Sequence, residues 1–304
     1  MRAMLGLLVI GGLASPLHAQ EQTDTTFAVE PGGTLSIDNH QGAVRIRSWD
    51  RAAMRVGAAH SSRIRIEIDR SATGVQLEGD EERGPAHGIE YDITVPRNYS
   101  IEVDCNECGV LVQDVDGDVV VDNGQGDIIV RGGRGRREID SNNGEIIVTG
   151  ARGTVIADSN NGNVRMSDIT GNVSVDANNG NVHMSDITGD VSAESVTGEI
   201  QLANIAADNV HAETTNGPIH YQGSLRNGGR YNLSSHNGSL RVTIPADAGA
   251  DVHVSTHNGE IESDFPVEVR GALQQGEMSF VIGTGGAQLD LESFNGTIQL
   301  VRPQ

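Results

Sequence analysis

Glycine returns at every ninth position along the middle of this chain. The series occupies positions 117, 126, 135, 144, 153, 162, 171, 180, 189 and 198. After nearly all of these glycines the second and fourth residues are apolar, as in Ile146 and Val148 after Gly144. Because alternation with a period of two is typical of a β-strand, each unit is predicted to be a short strand followed by a turn.

Two kinds of turn alternate, so that two units make one period of eighteen residues. One kind is Asn-Asn-Gly, as at 160–162 and 178–180, and the other is Asp-Ile-Thr-Gly at 168–171 and 186–189. Asn-Gly turns also favour an antiparallel meander. A meander would leave one apolar face uncovered, because the repeat region contains no amphipathic helix that could pack on it. The sequence therefore predicts an all-β parallel β-solenoid (β-helix-like), with coils of about 18 residues made of two 9-residue strand-turn units.

Identical residues should then stack on successive coils, for example Met166 on Met184 and Asn160 on Asn178. Residues 20–110 show the same pattern more loosely and are expected to form a β-rich segment that continues into the solenoid and caps it. Residues 111–304 are expected to be the repeat region. Exposed strand edges promote aggregation, so we expect the coils after residue 260 to cover the other end.

Residues 1–19 have the features of a secretory signal peptide, namely Arg2, a short apolar run and a small residue at the expected cleavage point. No later segment is long enough for a transmembrane helix. The formal charge is −21, and all 21 basic residues are arginine. Such an acidic chain argues against nucleic-acid binding. These features predict an exported protein of the periplasm, the cell surface or the extracellular space.

Several phrases, taken in order, resemble the putative-adhesin, β-strand-repeat family of bacterial exported proteins, a domain-of-unknown-function family. They are FAVEPGG at 27–33, SWDR at 48–51, YDITVP at 91–96, VTIP at 242–245 and LESFNGTIQL at 291–300. The resemblance covers nearly the whole chain after residue 19. It implies a β-solenoid in an envelope or cell-surface setting, and it brings no catalytic residues.

An acidic residue stands four positions before every second glycine. The residues concerned are Asp122, Asp140, Asp158, Asp176 and Glu194. In a solenoid they would form a row along one side. One interpretation is that each carboxylate accepts backbone N–H groups of its own turn. The other is that calcium binds between successive coils, although the nonapeptide of calcium-binding β-rolls is absent.

Cys105 and Cys108 are the only cysteines, and in an exported chain they are expected to form a disulfide. Redox and zinc roles remain alternatives. His236 and His257 occupy matching turn positions and are expected to stack on adjacent coils, as solvated side chains or as metal ligands.

The predicted function is that of a non-catalytic envelope or cell-surface protein, an adhesin or scaffold that uses flat solenoid faces and has no cofactor. Its partner would be an envelope protein or a surface glycan. A second hypothesis is an accessory or sensor of envelope-stress signalling, and a third is a β-helix enzyme acting on polysaccharide. The enzyme is disfavoured because the regular coils lack the long loops that build a carbohydrate-cleaving pocket.

Overall fold

The structure is a computed structural model that describes residues 20–81, 88–266, 268–269 and 276–303. The predicted signal peptide, residues 1–19, lies outside this part of the chain. Within the described residues all regular structure is β-strand, and none of them forms a helix long and apolar enough to cross a membrane. The N-terminal strands are β1 Gln20–Ala28, β2 Thr34–Trp49, β3 Ala53–Ser61, β4 Ile64–Arg70, β5 Gly74–Glu81, β6 Ile89–Pro96 and β7 Ser100–Gln113.

Pairs of short strands follow, one pair for each coil. The regular coils contain β8 Val119–Gln125, β9 Ile128–Arg131, β10 Arg137–Asn143, β11 Ile146–Thr149, β12 Val155–Asn161, β13 Val164–Thr170, β14 Val173–Asn179, β15 Val182–Thr188, β16 Val191–Thr197 and β17 Ile200–Ala206. The later strands are β18 Asn209–Asn216, β19 Ile219–Gly223, β20 Arg230–Asn237, β21 Leu240–Thr243, β22 Ala250–Thr256, β23 Ile261–Ser263, β24 Glu268–Val269, β25 Glu277–Ile282, β26 Ala287–Asn295 and β27 Ile298–Val301.

The regular coils confirm the predicted parallel solenoid. Each strand pairs in parallel with the strand eighteen residues later, so that Met166 lies opposite Met184 and Ile169 opposite Ile187. Asn178 donates a hydrogen bond from Nδ2 to Oδ1 of Asn160, at 3.0 Å. The predicted stacking of identical residues is therefore present, and it places equivalent side chains one strand spacing apart, at about 4.8 Å.

The coils build two walls that share one core. Wall A contains, in spatial order, β5, β2, β7, β8, β10, β12, β14, β16, β18, β20, β26 and β22. Wall B contains β6, β2, β7, β9, β11, β13, β15, β17, β19, β21, β27 and β23. The long strands β2 and β7 contribute to both walls. Alternate residues of each wall are buried in the common core, which consists mainly of Val, Ile, Leu and Ala.

Both ends of the solenoid depart from chain order. At the N-terminal end β2 lies between β5–β6 and β7, and antiparallel pairs join β1 to β3, β3 to β6 and β4 to β5. A division at residue 110 would fall inside β7, which is already part of the coil stack. At the C-terminal end the last coil, β26–β27, lies between β20–β21 and β22–β23. The expectation that everything after residue 260 covers the end was therefore wrong for this coil, because its strands pair on both sides.

Close approach between coils explains the glycine series. Gly180 has φ +154°, and a Cβ at this position would lie 2.0 Å from the carbonyl oxygen of Gly162 on the preceding coil. No side chain fits so close to a neighbouring backbone, and positive φ strains any residue that has a Cβ. The corner in the second strand of each coil has left-handed backbone without glycine. Asp168 and Asp186 have φ +56° and +57° there, within the left-handed region that Asp tolerates.

One inward position holds a charge. Arg137 takes the place that Val119 and Val155 occupy on the adjacent coils, and it is only 1% exposed. Its guanidinium donates to the carbonyl oxygens of Val115 at 2.7 Å, Gly117 at 3.0 Å and Arg134 at 2.8 Å. Desolvation by burial lowers the pKa of Arg137. The apolar periodicity did not single out Arg137, although an arginine at the second position after Gly135 is a visible exception to the pattern.

Candidate functional site: an acidic groove on wall A

The five acidic residues singled out by their spacing do form one row on the outside of wall A. Asp140 lies in register with Asp122 and Asp158, and Asp176 lies in register with Asp158 and Glu194. The row extends beyond them in both directions. The acidic row consists of Glu78, Asp38, Asp104, Asp122, Asp140, Asp158, Asp176, Glu194 and Glu213. The periodicity did not reveal Asp104, because Cys108 stands where later coils have the turn glycine.

The part of the acidic row from Asp122 to Glu213 lines one side of an open groove of about 750 Å³. A parallel row of asparagines lines it as well: Asn160 Nδ2 donates to Asn142 Oδ1 at 2.8 Å, and Asn178 continues the chain of amide hydrogen bonds. Near the C-terminal part of the groove the equivalent position is Val196, which is 49% exposed. The groove therefore offers carboxylates, amides and a small apolar area along one straight line.

Repulsion and partial burial change the acidity of the central carboxyl groups. The pKa of Asp158 is raised by desolvation and by the negative charges of Asp140 and Asp176. The pKa of Asp140 is raised by desolvation and by the charges of Asp122 and Glu138. Among the described residues, no arginine forms a salt bridge with the acidic row. The row is therefore a line of charge available to an external partner.

A histidine lies beside the C-terminal part of the row. The Nε2 atom of His211 is 3.8 Å from a carboxylate oxygen of both Glu194 and Glu213. This imidazole is positively charged only when protonated. The protonated imidazole would partly neutralise the negative charges of the two glutamates. Within the described residues, the aspartates from Asp122 to Asp176 have no such histidine neighbour.

The expected turn capping by these carboxylates is not found. They project from the middle of strands, and none of the hydrogen bonds of the described residues joins them to a backbone N–H of their turn. Instead, the side chains of residues that follow the turn glycines accept hydrogen bonds from backbone N–H groups of the next coil. Asn163 Oδ1 accepts from the N–H of Asn181 at 3.0 Å, and Asn181 Oδ1 accepts from the N–H of Glu199 at 2.9 Å.

Calcium binding by the acidic row stays a prediction. Within the described residues, no group of three or more His, Cys, Asp or Glu side chains is arranged so that it could hold a metal ion. Calcium takes 6–8 oxygen ligands, and the carboxylates of this row follow one another along a line. Any cation held there would have to keep most of its water.

An aromatic stack lies at the C-terminal end of wall A. Phe294 is sandwiched between His236 and His257, with ring centroids 4.8 Å apart on each side and interplanar angles of 12° and 14°. The expectation that the two histidines stack directly on each other was wrong, because the inserted last coil places Phe294 between them. Phe294 is 42% exposed, so the stack presents its ring edges to solvent.

The cysteines lie at the N-terminal end of the same wall. Cys105 and Cys108 are joined in a disulfide, with their Cα atoms 5.9 Å apart, and both side chains are buried. The Nδ2 group of Asn123 donates to the carbonyl oxygen of Cys108 at 2.9 Å. The disulfide therefore fixes the backbone of β7 directly after Asp104 of the acidic row.

Wall B differs from wall A in charge. From β7 to β27 its two outward rows carry no Asp or Glu, whereas the end strands β6 and β23 place Asp92 and Glu262 in register with the first of these rows. The first row is Leu111, Ile129, Ile147, Arg165, His183, Gln201, His220, Arg241 and Gln299, and the second is Gln113, Arg131, Thr149, Ser167, Ser185, Ala203, Gln222, Thr243 and Val301. The other carboxylates of this wall lie at its borders, for example Asp127 and Asp168. The two outer faces of the solenoid are therefore chemically distinct.

Comparison with known proteins identifies the family of this chain. Residues 33–301 match the family described as Toastrack DUF4097. Two solved structures resemble the chain: a "putative cell adhesion protein" from Clostridium sporogenes (11% identity, 93% of this chain and 100% of that chain, TM-score 0.24) and a "putative adhesin" from Bacteroides fragilis (12% identity, 93% and 99%, TM-score 0.38). No curated protein matches the sequence. Because the family match spans most of the repeats and both irregular ends, the chain belongs to the Toastrack DUF4097 family.

Proposed function

We propose that the chain is a non-catalytic, exported protein of the cell envelope or cell surface, and that it acts as an adhesin or scaffold through the acidic groove on wall A. The observation that carries this proposal is the unbroken register of carboxylates from Asp38 to Glu213. A rigid line of like charges costs stability unless it is offset. A ligand bound along the row of carboxylates would offset this electrostatic repulsion.

The groove suits an extended ligand. It is open along its length, and its polar groups repeat at the strand spacing of about 4.8 Å. Regular, surface-exposed arrays of amides and carboxylates can hydrogen-bond successive units of a polymer. The expected partner is therefore a surface glycan or an extended segment of an envelope protein, bound without chemical change.

A capture experiment with a groove variant tests the proposal. The purified chain is immobilised and exposed to solubilised cell envelope, and the retained glycans and proteins are identified. The variant Asp140→Asn, Asp158→Asn, Asp176→Asn removes the central charges and keeps the side-chain shapes. We expect it to lose the retained ligand.

The matched control is Glu67→Gln, Asp69→Asn, Asp247→Asn, which removes the same number of exposed charges elsewhere. It should retain the ligand in full. Equal retention by the groove variant would show that the groove is not the binding surface. Cleavage of a retained glycan by the unaltered chain would instead identify an enzyme.

A further inference from the structure

Wall B carries a patch in which aliphatic and cationic side chains lie side by side. Leu111, Ile129 and Ile147 occupy the same outward position on three successive coils. They are half-buried, and they project away from the core that their strand neighbours fill. We call these three residues the aliphatic row. On a wall surface that is otherwise polar, nothing in the described structure covers them.

Arginines border the aliphatic row on one side. Arg131 is two residues after Ile129 in the same strand, and Arg134 and Arg152 pair with each other as a bridge on consecutive coils. All three side chains are exposed, and none of them forms a salt bridge with a described residue. We call Arg131, Arg134 and Arg152 the arginine cluster. Two guanidinium groups on adjacent strands repel each other unless an anion lies between them.

The acidic border of wall B is interrupted at this point. Equivalent corner positions hold Asp114, Gly132, Gly150 and Asp168, all with left-handed φ. The first three donate the same backbone hydrogen bond to the next coil. Glycine therefore replaces aspartate at the two levels where the arginine cluster lies. The carboxylates that remain close to the cluster are those of Asp114, Asp116 and Asp118 on the loop of the preceding coil and those of the turn residues Asp127 and Glu145. Glu145 is paired with Arg165.

The segment that bears the cluster is fixed from inside the solenoid. The buried guanidinium of Arg137 donates to the carbonyl oxygen of Val115 on the preceding coil and to that of Arg134 within the cluster itself. These contacts hold the glycine-rich stretch 131–137 in one conformation and leave Arg131 and Arg134 outside. The arginines are thus presented by an ordered backbone.

We propose that this patch of wall B docks on a membrane surface rich in anionic phospholipid. The arginine cluster would contact lipid phosphates, and the aliphatic row would enter the interface beside them. A soluble polyanion would match the arginines but not the adjacent aliphatic side chains. The acidic row of wall A points the other way, about 10 Å beyond the core. The row therefore faces away from a membrane that contacts wall B.

Vesicle co-sedimentation tests the proposal with the full chain. Vesicles of phosphatidylglycerol mixed with phosphatidylcholine are compared with vesicles of phosphatidylcholine alone. We expect binding to the anionic vesicles only, weakened by added salt. The variant Arg131→Ser, Arg134→Ser, Arg152→Ser should reduce the partition coefficient by about tenfold or more, since each arginine near an anionic surface contributes several-fold.

Two further variants separate this site from general charge effects. Arg63→Ser, Arg65→Ser, Arg230→Ser removes three exposed arginines outside the patch and should bind as the unaltered chain does. Ile129→Ser, Ile147→Ser keeps the cluster and should lower binding as well. Circular dichroism melts verify that all variants are folded.

The proposal fails if the chain does not sediment with anionic vesicles, or if the control variant loses binding as strongly as the cluster variant. Binding to polyphosphate without binding to vesicles would also overturn it, because the patch would then be an anion site without a membrane role. The acidic-groove variant should bind vesicles normally, so this result does not depend on the ligand of wall A.

Discussion

Asp158 lies in register with Asp140 on the preceding coil, and the charge of Asp140 adds to partial burial in raising the pKa of Asp158. A carboxyl group with a raised pKa binds its proton more tightly in the folded than in the unfolded chain. Stability should therefore increase as the pH falls from neutral through the raised pKa, and this gain is complete below the unfolded value near 3.9.

Urea unfolding at a series of pH values measures this effect. We expect the midpoint to rise on mild acidification and the variant Asp158→Asn to flatten the rise. Asp24 acts in the opposite sense, because hydrogen bonding to Arg55 lowers its pKa. The stability that the ionised Asp24 contributes is lost only at lower pH, as the pH falls from the pKa of aspartate in the unfolded chain through the lowered pKa in the folded chain. A midpoint that falls steadily from neutral pH would contradict the repulsion within the acidic row.

Replacing Gly180 by alanine should destabilise the fold by about 2–4 kcal/mol, because the new Cβ meets the carbonyl oxygen of Gly162 and the backbone has positive φ. Chemical denaturation measures the change. Gly109 is the matched control: nothing lies within 4 Å of its Cβ position, so Gly109→Ala should alter stability by at most about 0.5 kcal/mol. Equal effects at the two sites would argue against contact between coils as the cause.

Arg137→Met should cost about 3 kcal/mol, because the carbonyl oxygens of Val115, Gly117 and Arg134 would lose a buried donor. Arg134→Met, at an exposed site on the same loop, should have little effect on unfolding. If the methionine at position 137 packs without loss of stability, the guanidinium is not needed to hold this loop.

Removing the disulfide with Cys105→Ala, Cys108→Ala should lower the free energy of unfolding by about 2 kcal/mol, the amount expected when a cross-link closes a very short loop. The comparison requires oxidised protein for the unaltered chain. A loss well above this value would mean that the bond also maintains the packing of the first coils.

Calcium should leave the melting temperature unchanged, whether added at millimolar concentration or removed with a chelator. A site occupied at one hundred times its Kd would stabilise the fold by about 2.7 kcal/mol, which corresponds to a shift of several degrees for a chain of this size. Such a shift, abolished by Asp158→Asn, Asp176→Asn, would establish the bridging interpretation of the acidic row.

The regular coils could be predicted because the sequence of each coil specifies its structure locally. Alternating apolar residues mark the strands, and a glycine marks each point where the backbones of two coils come close together. The predicted row from Asp122 to Glu194 followed directly from that period. Asp104 escaped notice because Cys108 replaces the glycine that marks the unit. The order of the end coils could not be predicted, since the strands around Leu289 and Val252 have the same alternation and nothing local specifies which of them pairs with Tyr231.

The position of the last coil also has a consequence for assembly of the chain during synthesis. Tyr231 pairs with Leu289, and Leu289 pairs in turn with Val252, which is made earlier. Strand β22, which contains Val252, therefore has no parallel neighbour until β26 near the C-terminus has been synthesised. Contacts between segments so distant in sequence slow folding. A ribosome or translocase that releases the chain from its N-terminus delivers a solenoid with two open strand edges, and closing that gap is the last step of folding.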